Sequence, residues 1–476
     1  MEGHGQRCRN DHQKGAYTHE LRGHVELTDG RMAFISIHRG RRSLERVPRL
    51  GQAESCPYWV PWRFSALENS TVAAGATVTG AMARSVPFLA DVVAAPAEDA
   101  APAAPRAFRL QSLDVFRGLT IAAMLLVNNP GSWSHVYPPL EHAAWNGWTP
   151  TDLVFPFFLF IVGITTTLSL GRLLEGGTRP STLFRKVLIR AGLIFALGLL
   201  MQGFPAYELG TIRVLGVLQR IALSYLVAAT IVLLTDVRGQ VGALMALLLG
   251  YWALMTLVPV PGVGRPVLEP DLNLSNWLDL KLIGRNHLLN ETMTWDPEGL
   301  LSTLGAIATV LSGVLAGHWI RSARDARVKV MGLLAAGAAV IALGTLWGHA
   351  FPINKNLWTG SFVLLTAGIA CAVLASTYWL VDVKGYRAWA RPFLVFGTNA
   401  ITAYWLSSVV AIVFDWVVIT SPADGESLVL KTYLYEILYA PWLASENASL
   451  AYAVTYVLIW LGFLSLLYRW RIFIRI

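Results

Sequence analysis

The stretch LEHAAWNGWTPTDLVFPFFLF, Leu140 to Phe160, passes directly from a polar, aromatic loop into an apolar run. Continued to Gly171, that run is long enough and poor enough in charge to cross roughly 30 Å of hydrocarbon as a helix. The loop before it sets one histidine, His142, at the mouth of the span. Unperturbed imidazole titrates near about 6.5, so a histidine placed there can take a proton, accept an acyl group or pair with an acid at neutral pH.

Composition agrees with the membrane reading. Of 476 residues, 54% are hydrophobic and only 14% charged, with 18 Trp and a mean hydropathy of +0.49, beyond what a soluble core uses. The fold class expected is all-α: a polytopic membrane bundle of about ten transmembrane helices, preceded by a largely disordered N-terminal segment. The cysteines Cys8, Cys56 and Cys371 are scattered, which leaves no disulfide framework and no ligand cluster, so no metal is expected. Nor is a nucleic-acid partner.

Residues 1–105 differ from the rest: they hold half of the 10 histidines and end in the tract AAPAEDAAPAAP, Ala94 to Pro105, which reads as a flexible linker. They carry no signal peptide or lipidation pattern, and Met82 is a candidate for the true start. The membrane domain is taken as 106–476. Its apolar runs are placed near 113–129, 150–171, 187–203, 213–234, 241–259, 299–320, 330–349, 359–381, 393–419 and 448–468. An amphipathic stretch near 427–444 reads as an interfacial or re-entrant helix.

Positive charge in the loops orients such a chain. Basic residues cluster at Arg172 to Lys186, Arg238, Arg321 to Lys329, Lys384 to Arg391 and Arg469 to Arg475. The intervening, longer loops hold Arg213, Arg265, Lys281, Arg285, Lys355 and Lys431. Both termini are therefore expected in the cytoplasm, and His142 outside.

The outward side also carries Asn146, Trp145, Trp148, Asp152, the segment Asn290 to Gly299, and HAFPINKNLW from His349 to Trp358, with Asn356 in it. Tryptophan faces stack on sugar rings, and Asn or Asp satisfies hydroxyls that would otherwise be buried unpaired. An interfacial aromatic belt is the structural alternative. Asp152 suits either an orienter of the imidazole or a helix N-cap, with Thr149 and Thr151 as competitors. Within the spans, Asp114 and Arg117 share a helical face and form either a local ion pair or a ligand site. Arg117 and Arg220 are candidates to meet phosphate from the cytoplasmic side, because guanidinium matches phosphate geometry.

Six blocks in one order, RLQSLDVFRGLT at Arg109, HAAWNGWTPTDLVFPFFLFIVG at His142, VLGVLQRIALSY at Val214, DPEGLLSTLGAIATVLSGVLAG at Asp296, INKNLWTGSF at Ile353 and VDVKGYRAWARPFLVFGTNAITAY at Val381, resemble the heparan-alpha-glucosaminide N-acetyltransferase family of membrane acyltransferases. The resemblance implies an acyltransferase that takes acetyl-coenzyme A from the cytoplasmic side and delivers the acetyl group to an amino sugar across the membrane. Its active-site histidine falls on His142, with Asp152 or Asn146 orienting the ring, Trp145, Trp148 and Asn356 towards the acceptor, and Arg117, Arg220 and Asp114 towards the donor. It also implies a homodimer as one assembly. The chain departs from the animal enzymes in having ten expected spans rather than eleven and no large lumenal N-terminal region, and a bacterial inner membrane is expected from its basic loops and the lack of a targeting signal. Its acceptor is then an envelope glycan or amino sugar rather than heparan sulfate, and its acyl group need not be acetyl. A transporter or flippase for a sugar or lipid-linked glycan is the alternative, with internal polar groups lining a route, although the two halves show no convincing repeat.

Overall fold

The computed structural model describes residues 110–474 except 290, 291, 293 and 421–426, so the expectations for residues 1–105 lie outside the described residues. The helices are α1 (Gln111–Asn128), α2 (Val154–Glu175), α3 (Pro180–Gly203), α4 (Val217–Leu234), α5 (Val237–Leu257), α6 (Leu274–Leu282), α7 (Thr303–Arg321), α8 (Ala326–Trp347), α9 (Gly360–Thr377), α10 (Arg391–Thr398), α11 (Ala400–Trp416), α12 (Leu430–Leu438) and α13 (Ser445–Arg469). A π-helical turn, Tyr378–Val383, extends α9. Starts follow local chemistry: Asp236 caps α5, Asn273 caps α6, Thr359 caps α9, and α3 opens on Pro180.

All ten expected apolar runs are helical. Among the described residues, α2, α4, α5, α7, α8, α9 and α13 are long and apolar enough to cross a membrane, and α10 with α11 forms a bent pair that counts as an eighth span. The 18-residue α1 and the 24-residue α3 complete the expected set. Asp114 and Arg117 in the first, and Arg185, Lys186 and Arg190 in the second, reduce their hydropathy.

One expected span differs in shape. The run 393–419 breaks by 82° between α10 and α11, at Asn399. There the side-chain amide donates to Ile472 O and accepts from the Ile474 amide, each at 3.0 Å, so the broken ladder is compensated from the C-terminal segment. The amphipathic stretch near 427–444 is also more varied than one helix. Ser427–Val429 pairs antiparallel with Val418–Thr420, and the nine-residue α12 follows.

α7 and α9 have 72% of their spans buried and α2 has 67%, whereas α5 and α8 have 22% and α13 28%. The first three form the centre and the others present apolar side chains outward. Because hydrocarbon solvates leucine as well as a neighbouring helix does, close backbone approach through small residues has to hold the centre together. A Cβ on Gly163 of α2 would lie 2.0 Å from Val310 O, and one on Gly313 of α7 would lie 2.0 Å from Phe160 O. Gly313→Leu is therefore expected to cost at least about 3 kcal/mol by forcing the two backbones apart, read as a lowered melting temperature in detergent. An unchanged melting temperature would contradict this crossing.

The chain alternates, so connections of a few residues (176–179, 235–236, 322–325) and the 384–390 loop lie on one face. The long connections 129–153, 204–216, 258–302, 348–359 and 417–444 lie on the other. They are tied to one another by Gly147 N to Ile353 O at 2.8 Å and Val214 N to His287 O at 3.1 Å, and the first is tied to α13 by Gly131 N to Ser449 O at 3.2 Å.

Candidate active site

The site is built on the long-loop face from the start of α2. A 3₁₀ turn, Pro150–Leu153, leads into that helix, and Thr149 and Asp152 form a reciprocal capping box at its entry. The same Asp152 carboxylate reaches back along the loop: its Oδ1 is 2.7 Å from His142 Nδ1, and its Oδ2 accepts from the Ala143 amide at 3.1 Å and the Thr149 amide at 3.0 Å. The cap and the histidine-orienting role foreseen as alternatives coexist in one buried carboxylate. The imidazole is 49% exposed and the Asp152 side chain 1%, which holds the ring from behind and turns its edge outward. With the Nδ1 proton donated to the carboxylate, the lone pair resides on Nε2, as a base or nucleophile requires.

Lys355, in the loop between α8 and α9, completes the cluster. Its Nζ lies 2.9 Å from His142 Nδ1, 3.2 Å from Nε2 and 3.4 Å from Asp152 Oδ1. Burial depresses its proton affinity, while Asp152 and Glu298 pull the other way. Deeper in the same face, Arg213 grips Asp296 through Nε at 2.8 Å and Nη2 at 2.6 Å, and Glu298 at 2.5 Å. Burial opposes the Arg213 charge, but the two carboxylates outweigh it and raise its proton affinity. Burial likewise opposes the Glu298 charge, yet Arg213, Arg220 and Lys355 hold its carboxyl below the usual range. Asp279, on α6, accepts from the Leu300 amide at 2.9 Å, and burial pushes its carboxyl up to about 7.

Arg220 belongs to this face. Its Nη2 donates to Gly299 O at 3.1 Å and to Ser302 Oγ, and its guanidinium lies 5.0 Å from the Trp358 ring centre. The expectation that it meets phosphate from the short-loop side is corrected, since it enters α4 at the long-loop end and is fully buried there. Trp145 is corrected too. Its indole N–H donates to Leu268 O at 3.0 Å and its ring meets Trp295 edge-on at 5.3 Å, so it is spent on packing the loop core. Asn146 does not bond the imidazole; its Oδ1 accepts from Asn354 at 3.1 Å and joins the two loops. Trp148 is exposed and Asn356 half-buried on the same face.

Asp114 and Arg117 lie in the opposite half. They form the local ion pair at 3.3 Å, Arg117 also donates to Gly397 O at 3.2 Å, and both line a cavity of about 550 Å³. Arg172, and Arg190 stacked 5.2 Å over Tyr225, line it as well. Of these site groups Arg190 and Asp279 escaped the sequence reading, Arg172, Arg213 and Lys355 entered it as loop charges, and Asp296 and Glu298 only within the segment Asn290 to Gly299. A charged residue at the edge of an apolar run was the available signal, but the partners are distant in sequence, 83 residues for Arg213 with Asp296 and 213 for Lys355 with His142. The cavity wall continues to Phe158, Ile221 and Tyr225. Beyond it, Phe155 meets Trp358 edge-on at 5.1 Å, and Trp358 meets Phe362 at 5.5 Å.

Membrane-length helices, with a histidine–carboxylate pair on one face and an arginine-lined cavity in the other half, define an integral membrane protein. Residues 109–353 match the family described as heparan-alpha-glucosaminide N-acetyltransferase, catalytic, and the chain belongs to that family. Heparan-alpha-glucosaminide N-acetyltransferase of Homo sapiens is 30% identical over 353 residues, 62% of this chain and 52% of the human protein. That of Mus musculus is 30% identical over 350 residues, 62% of this chain and 53% of the mouse protein. The chain spans about half the length of the curated relatives it matches.

Proposed function

We propose that this protein moves an acetyl group from acyl-coenzyme A, bound in the short-loop cavity, to an amino sugar or glycan at the long-loop face, with His142 as catalyst. One observation carries the reading. α2 holds both ends of the path: Asp152 orients the imidazole at its entry, and Phe158, six residues on and so roughly 9 Å along the axis, lines the cavity. A thioester at the end of a pantetheine arm can cover that distance. The 550 Å³ volume lies within the range of about 300–1,000 Å³ usual for ligand pockets, and guanidinium groups suit the donor's phosphates.

In this reading the cavity opens to the cytoplasmic side of a bacterial inner membrane, where the donor is made, with both termini on that side; the basic short loops support the orientation. His142, held through Nδ1, either attacks the thioester carbonyl through Nε2 or takes the acceptor's proton. Passage of the thioester requires the Phe155 and Trp358 rings to part. The name of the curated relatives specifies N-acetylation of a glucosaminide; for this chain the acceptor is an amino sugar class, presented near Trp148 and Asn356.

Purified protein should transfer radiolabelled acetyl from acetyl-coenzyme A to glucosamine, and no product with any amino sugar would contradict the proposal. Arg190→Ala should raise KM for acetyl-coenzyme A about tenfold with kcat little changed, because a phosphate contact far from the reacting carbon is made equally in ground and transition states. An unchanged KM would remove the cavity as the donor site. The 82° break between α10 and α11 favours a second reading, since broken helices are typical of transporters. Glucosamine counterflow in proteoliposomes without any acyl donor would support that reading instead.

A further inference from the structure

Lys355 is not needed to satisfy Asp152. That carboxylate already takes His142 Nδ1, the Ala143 and Thr149 amides, and Thr149 Oγ1 at 3.2 Å. Nevertheless a lysine with its side chain 16% exposed sets its ammonium against the ring, with Nζ 2.9 Å from Nδ1 and 3.2 Å from Nε2. Placing an amine there costs desolvation that a surface position would avoid. An acyl carbon poised for attack stands about 3–3.5 Å from its nucleophile, which puts the departing sulfur within contact range of Nζ. The charged groups facing this ammonium are Asp152 and Glu298, with Arg220 beyond them.

We propose that Lys355 is the general acid that protonates the departing coenzyme A sulfur while the acyl group is transferred at His142. The inference rests on the reading of the His142 site given above. The Nε2 lone pair forms the C–N bond as the C–S bond breaks; the electron pair leaves on sulfur, and an Nζ proton passes to it, giving a free thiol, an acyl-imidazolium and a neutral lysine. The acceptor enters as its free amine. It attacks the acyl carbon, the C–N bond to His142 breaks with its pair returning to Nε2, and the amide's surplus proton returns to neutral Nζ. In direct transfer the same Lys355 proton reaches the same sulfur. His142 then takes the amine's proton and returns one to Nζ. Burial, which lowers the proton affinity of Lys355, brings it closer to that of a thiol and eases both transfers.

The test uses the full chain in detergent, with glucosamine as acceptor and two donors: acetyl-coenzyme A, and 4-nitrothiophenyl acetate, whose thiolate leaves without a proton. Lys355→Met and Lys355→Arg should each lose about 100-fold in kcat with acetyl-coenzyme A and stay within about threefold of wild type with the activated ester. The Arg variant keeps a cation beside Asp152 and serves as the comparison if the Met variant does not fold. Equal losses with both donors, or full activity of Lys355→Arg with acetyl-coenzyme A, would overturn the inference in favour of a structural or purely charged role. A wild type inactive with both donors would instead defeat the reading of the His142 site itself.

Discussion

Replacing His142 with Ala is expected to lower acetyl transfer to glucosamine by roughly 10²- to 10⁴-fold, while the purified protein melts at the temperature of the wild type. The loss follows from Nε2 being the reacting lone pair that Asp152 prepares through Nδ1. Unchanged stability follows from the surroundings. The ring is half exposed, and without it Asp152 keeps the Ala143 and Thr149 amides, Thr149 Oγ1 and the Lys355 ammonium 3.4 Å away, so no buried charge is stranded. Product formation and a thermal melt on one preparation separate the two effects. Full activity in the variant would remove the proposed catalyst, and a large fall in melting temperature would show the ring to be structural.

The opposite pattern is expected of Arg213→Met. Arg213 is 15% exposed and holds Asp296 at 0% and Glu298 at 9% exposure. Its removal leaves two buried carboxylates without their main counter-charge, which costs about 3–5 kcal/mol. The same residues fasten the 204–216 loop to the 258–302 loop, beside the bond from His287 Nδ1 to Ile212 O at 2.8 Å, so the long-loop face should loosen as a unit. Thermal unfolding in detergent measures this. Adding Asp296→Asn and Glu298→Gln to the Met variant should recover part of the loss, because the stranded charges are then gone. A Met variant as stable as wild type would show that the cluster contributes nothing to holding the loops.

The spans were legible in the sequence because a backbone in hydrocarbon must satisfy its own hydrogen bonds, so long apolar runs have few shapes open to them. The break at Asn399 was not, since hydropathy continues through it and its cause is a pair of bonds to residues 472 and 474. His142 and Asp152 were legible as partners because only ten residues, folded into one loop and one turn, separate them. Lys355 was visible only as a loop charge, being 213 residues from the ring it touches. Arg220 shows the converse failure: Arg213 among the long-loop charges already put the start of its span on that face, yet its guanidinium was read towards phosphate on the other, and Gly299, Ser302 and Trp358 hold it. Trp145 was read from its ring chemistry, yet a carbonyl at Leu268 and the Trp295 ring had already claimed it.

In the proposed reaction donor and acceptor meet the protein from opposite sides of the membrane. Proteoliposomes with radiolabelled acetyl-coenzyme A on one side and glucosamine on the other test it directly. Labelled N-acetylglucosamine should accumulate in the compartment opposite the donor and should vanish with His142→Ala. Product that forms only when donor and acceptor share a compartment would contradict the account.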